Sequence, residues 1–83
     1  MMYSLHMDLK TFLKSMSLTE RVGFADKCGT TYPHLRNVAY GLRKAAEKLS
    51  IAIERESGGL VRCEELRPDV DWAYIRGTAK HAA

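Results

Sequence analysis

Apolar residues recur at Leu9, Phe12, Leu13 and Met16, the spacing of one helical face, so the pattern predicts a first helix over about 8–16. Asp8 stands at its start, where a carboxylate interacts favourably with the helix dipole. Ser17-Leu18-Thr19-Glu20 reads as a capping box: the serine accepts from the glutamate N–H while the glutamate side chain reaches back. A second helix then runs to Lys27 or Cys28, with Leu18, Val22 and Ala25 as its inner stripe and Phe24 and Cys28 flanking. Gly29 follows, where a left-handed backbone ends a helix at little cost.

Thr30 or Thr31 caps a third helix, and Pro33 falls in its first turn, where a missing N–H costs nothing. Leu35, Val38, Ala39 and Leu42 form its inner stripe, and Gly41 ends or kinks it. A fourth helix covers roughly 46–56, with Ala45, Leu49, Ala52 and Ile53 on one face and Gly58-Gly59 as its stop. Residues 60–62 suit one very short strand, 63–66 a helical turn, and Trp72 and Ile75 are apolar enough to dock on the helices. The expected fold is all-α: one compact domain over 1–83 with four to five helices, loose at 1–6 and 78–83.

Helices two and three meet at a tight corner, the layout of a helix-turn-helix. Ala25 is small where the helices touch, Gly29 tolerates positive φ four positions later, and Leu35 and Val38 supply the inner apolar positions. Thr30 departs from the aliphatic residue usual at that corner.

Opposite the inner stripe of helix three lie Pro33, Arg36, Asn37 and Tyr40, with Thr31 and Tyr32 at its leading end. Arginine donates twice to guanine, asparagine pairs with adenine, and Tyr or Thr reaches phosphates or the thymine methyl. These six are the expected base-contacting residues. Ser17, Arg21, Lys27, Arg43 and Lys44 are the expected phosphate contacts, from the start of helix two and the flanks of helix three. The alternative reading of this face is a polar solvated helix.

Charge distribution favours the first reading. The formal net charge of +3 is mild, but residues 1–50 carry eight Lys/Arg against four Asp/Glu, and 51–83 carry five against six. Between Lys27 and Ala46 there is no acidic residue, a local positive field suited to a polyanion. No apolar run approaches the length of a membrane span, and the N-terminus lacks the pattern of a secretory signal, so the expected compartment is the cytoplasm, at the nucleoid. Cys28, Cys63, His6, His34 and His81 do not fall at zinc-site spacings; two reduced cysteines, no metal and no cofactor are expected.

The order of motifs resembles the YdaS-type Cro-like repressors and antitoxins of phages and prophages. The resemblance rests on "CGTTYPHLRNVAYGLRKA", then on Ala52-Ile53-Glu54, Ser57-Gly58-Gly59 and Leu66-Arg67-Pro68-Asp69, and covers about residues 8–72. It implies a lambda-repressor-like helical domain that binds DNA and regulates transcription, commonly as a dimer on an operator. By position, Thr31, Tyr32, Arg36, Asn37 and Tyr40 match the exposed positions of the recognition helix. The connection after Gly41 lacks the proline often found there.

The expected function is therefore a sequence-specific, operator-binding transcriptional regulator acting as a homodimer. Its pairing surface is expected after Gly59, with Leu60 and Val61 as edge strands and Trp72 and Ile75 burying apolar area. The alternative is an antitoxin or interaction module whose partner is a toxin, using the acidic half with Trp72, Tyr74 and Ile75. An enzyme is not expected: His34, Ser50 and Ser57 have no catalytic partner at a motif spacing, and no phosphate-binding glycine loop is present.

Overall fold

Short caps set most of the helix boundaries in the computed structural model, which describes residues 6–77. Within them lie α1 (Leu9–Lys14), α2 (Leu18–Lys27), α3 (Tyr32–Ala39), α4 (Glu47–Glu56), α5 (Cys63–Leu66) and α6 (Trp72–Ile75). Asp8 caps α1 by accepting from Thr11 N–H at 2.7 Å. Both arms of the Ser17/Glu20 capping box form, at 3.2 and 2.8 Å. Thr31 caps α3 through His34 N–H at 3.3 Å, and Pro33 occupies the second helical position. α1 stops at Lys14, short of the expected residue 16. The Ser15 hydroxyl donates to the Phe12 carbonyl there, a local bond that competes with a further helical turn.

The corner between α2 and α3 forms as the sequence requires. Gly29 has φ of +77°, its N–H donates to the Asp26 carbonyl, and Thr30 N–H donates to the Ala25 carbonyl, both at 3.0 Å. This pair of bonds satisfies carbonyls that the end of a helix would otherwise leave open. Gly41 closes α3 in the same way, with Leu42 N–H donating to the Asn37 carbonyl at 2.8 Å. The chain reverses there, so Leu42 leaves the helical stripe and is 69% exposed instead of buried.

The core joins Leu9 and Leu13 of α1, Phe24, Ala25 and Cys28 around α2, Leu35 and Val38 of α3, and Ala45, Ala52, Ile53 and Val61. The inner face of α2 differs from the expected stripe: Leu18 is 62% and Val22 50% exposed, while Phe24, Ala25 and Cys28 are buried. The helix is turned so that Phe24 meets Phe12 of α1, ring centroids 5.1 Å apart, a tilted arrangement that aromatic quadrupoles favour. Small Ala25 and Cys28 on the same face let α2 pack against α3 and α4.

Residues 60–62 form no strand. Val61 is fully buried, its N–H donates to the Ser57 hydroxyl at 3.1 Å, and Met7 N–H donates to the Leu60 carbonyl at 2.8 Å. Ser57 in turn donates to the Glu54 carbonyl, so one hydroxyl serves both the end of α4 and the turn after it. Two of the residues expected to pair here do not face outward: Val61 and Trp72 belong to the interior, at 0% and 3% exposure, while Leu60 is half-buried and Ile75 exposed.

The loose ends expected at 1–6 and 78–83 lie outside the described residues, except His6. His6 Nε2 is 3.0 Å from Arg62 Nη1, and because a guanidinium only donates, the imidazole accepts. This contact anchors His6. The Leu66–Asp69 segment has a structural role that its sequence did not reveal. Arg67 Nη1 donates to the Ala45 carbonyl at 2.9 Å while its Nε and Nη2 grip Asp69 as a fork at 2.9 and 2.8 Å. Trp72 Nε1 then donates to the Arg67 carbonyl at 2.7 Å, which seats α6.

α6 is held a second time at its end. Arg76 donates to Glu54 of α4 and to Glu64 of α5, with Nη1 3.0 Å from Glu54 Oε2. The Arg76 guanidinium holds the Glu54 carboxyl at about 2, well below its ordinary 4.5. Both cysteines are free and buried, and burial pushes each thiol up to about 11. Among the described residues, no three His, Cys, Asp or Glu side chains converge as metal ligands, and no helix is long and apolar enough to cross a membrane.

Candidate nucleic-acid interface

α3 presents two faces with opposite chemistry. Leu35 is fully buried and Val38 nearly so, which fixes the rotation of the helix. Pro33, Arg36 and Tyr40 are exposed on the other side, and Asn37 is half-buried beside them. Arg36, Asn37, Tyr40 and Leu42 line a shallow depression of about 410 Å³. Its walls bring one guanidinium, one carboxamide and one phenol together without a carboxylate, a donor-rich set able to read base edges.

Lys10 of α1 adds a contributor that the sequence reading missed. Its Nζ lies 4.8 Å from the centroid of the Tyr40 ring, a cation–π contact that places a positive charge beside the exposed face. The contact joins two helices, so sequence spacing alone gave no signal for it.

The other expected residues divide into two groups. Tyr32 is half-buried against the core, and its hydroxyl accepts from Arg21 Nη1 at 3.2 Å. Arg21 Nε donates to the carbonyls of Leu13 and Met16 at 2.7 and 3.0 Å. Both residues thus carry structural duties at the start of α3. Ser17 has its N–H and its hydroxyl oxygen engaged with Glu20, whose carboxylate would face a phosphate there. Thr31 is exposed but accepts as a cap.

Arg43 and Lys44 are exposed in the connection between α3 and α4, beyond the C-terminal end of the helix. Lys27 is exposed at the end of α2 and lines, with Lys44, a groove on the flank of α3 rather than the depression beside Arg36. The structure therefore assembles Arg36, Asn37 and Tyr40, with Pro33 on the same face. It sets Arg43 and Lys44 at one end and leaves Ser17 and Lys27 apart.

No protein-family model matches the chain. The chain is similar to a protein of Escherichia coli (strain K12) named "Putative transcriptional regulator YdaS", with 43% identity over 51 residues. The match takes in 61% of this chain and 52% of that protein, so the chain spans about half the length of the curated relative. The comparison supports the YdaS-type resemblance drawn from the glycine pair, the Ala-Ile-Glu helix and the Leu-Arg-Pro-Asp segment.

Proposed function

We propose that the chain is a sequence-specific DNA-binding regulator of transcription, of the Cro-like kind found in phages and prophages, that places α3 in the major groove of an operator. One observation carries the reading: buried Leu35 turns Arg36, Asn37 and Tyr40 outward as a single donor-rich face without a carboxylate. Arg36 and Asn37 read bases, Tyr40 is steadied by Lys10, and Arg43 and Lys44 meet the phosphate backbone. The similarity to a protein named as a transcriptional regulator supports the same reading. Its setting is the cytoplasm, at the nucleoid.

An eight-residue recognition helix reads only a few base pairs, too few to single out a site in a genome. Two copies on a palindromic operator, with half-site centres about one DNA turn apart, meet that need. Selection of bound fragments from a random duplex pool tests the proposal. Enrichment of one palindromic sequence, bound by two copies, is the expected result; uniform retention of all sequences would overturn sequence-specific readout.

A further inference from the structure

Beside α3, on the flank marked by His34, runs an open groove of about 760 Å³ between the α2–α3 corner and α4. Its basic lining residues are Lys27, His34, Lys44, Lys48 and Arg55, and no Asp or Glu lines it. The neighbouring carboxylate of Glu56 is engaged by Arg55 Nε at 3.0 Å. The groove is also apolar in part. Leu49 and Ala52 contribute to its wall, and Ile51, a β-branched side chain 47% exposed on α4, stands in it.

Ile51 and Arg55 also border a second, smaller notch of about 170 Å³, shared with Trp72, Ile75 and Glu54, whose carboxylate is answered by Arg76. Ile75 is 58% exposed. The outer face of α4 therefore runs Lys48, Ile51, Arg55, a cation, an apolar side chain and a cation along one stripe, with Ile75 beside it.

Two classes of polyanion could answer these cations. A DNA backbone would satisfy the charges and leave Ile51 and Ile75 against water. An acidic amphipathic helix satisfies both, with carboxylates toward Lys27 and Lys48, beside the Arg55–Glu56 pair, and an apolar anchor over Ile51 and Ile75, the helix-in-groove mode of recognition. The groove is separate from the depression lined by Arg36, Asn37 and Tyr40, so occupancy here leaves the outer face of α3 open. We infer that this basic, isoleucine-lined groove docks an acidic amphipathic helix of a partner protein.

The test is selection from a displayed library of random peptides, each about 16 residues long to give several helical turns, on the immobilised full chain. Enriched peptides are then titrated by fluorescence anisotropy against wild type, the Lys48→Glu/Arg55→Glu double variant and Ile51→Ser. All three positions are exposed or part of an open wall, and circular dichroism checks that each variant folds. The expected result is enrichment of acidic sequences with apolar residues at helical spacing, with affinity falling about tenfold or more in each variant. No enrichment over the double variant, or peptides that bind all three proteins alike, would overturn the inference. Titration of random duplex DNA runs in parallel and is independent of the peptide arm. If the peptides fail while the double variant loses affinity for every duplex with a flatter salt dependence, the groove is a phosphate track instead.

Discussion

Arg21 Nη1 lies 3.2 Å from the Tyr32 hydroxyl, while the same guanidinium takes the carbonyls of Leu13 and Met16. One side chain thus ties the end of α1 to the first residue of α3. α3 is set in place from its N-terminal end by the guanidinium of Arg21.

Arg21→Ala should therefore lower stability by roughly 1.5–3 kcal/mol, the range for hydrogen bonds to a charged group, and Tyr32→Phe by about 0.5–1.5 kcal/mol. Arg21→Lys should not restore the loss, because an ammonium cannot present the same fork. Urea denaturation reads all three, and wild-type stability in Arg21→Ala would refute the assignment.

On the outer face, Arg36→Ala and Asn37→Ala should each cost about 1–3 kcal/mol on the selected operator and relax discrimination at one base pair. Arg43→Ala and Lys44→Ala should weaken all sequences alike and flatten the dependence on salt. Gel shifts on the operator and on a scrambled duplex separate the two behaviours.

The corner rests on backbone and on packing. A side chain at Gly29 would meet no atom within 4 Å, so the cost of Gly29→Val comes from its positive φ alone, about 1–2 kcal/mol or more. Leu35→Ala opens a cavity at a fully buried site and should cost on the order of 2–5 kcal/mol. Thermal melts check both, and Gly29→Asn should be the milder change because asparagine tolerates this backbone region.

Acid should release α6. Glu54 titrates near 4.5 when unfolded and near 2 when folded, so the unfolded chain binds the extra proton between those values. Stability from this group is fully present above about 4.5 and is lost as the pH falls toward 2. Glu54→Gln or Arg76→Ala should flatten that part of the acid-denaturation curve, followed by Trp72 fluorescence; an unaltered curve in both would count against the Arg76 contact.

Val61→Asp buries a carboxylate in the core and should unfold the chain, whereas Ile75→Asp, at an exposed site, should leave the melting temperature nearly unchanged. Circular dichroism at one protein concentration distinguishes them, and a folded Val61→Asp protein would contradict the burial of residue 61.

The features legible in the sequence were those whose partners are close in the chain. The Ser17/Glu20 box, the Thr31 cap and the Gly29 corner each close within a few residues, so residue type and spacing were enough. The face of α2 was not legible in this way. Leu18 and Val22 stand at helical spacing with Ala25, but the contact of Phe24 with Phe12, a residue of another helix, turns the helix away from them.

The candidate site divides along the same line. The common face of Arg36, Asn37 and Tyr40 was readable because α3 and its C-terminal cap carry all three. Lys10 beside Tyr40, and the two uses of Arg21, depend on how α1 lies against α3. Arg67 is a case of the same kind, since its carbonyl partner at Ala45 is 22 residues away.

That long reach has a consequence for the order of events at the ribosome. The connection carrying Arg43 and Lys44 ends at Ala45, where Arg67 holds it from behind. In a growing chain α3 is made early, yet this bracket can close only after Arg67 has emerged from the exit tunnel. Capture of duplex DNA by chains stalled with Arg67 inside and outside the tunnel would show how far α3 depends on residues synthesised after it.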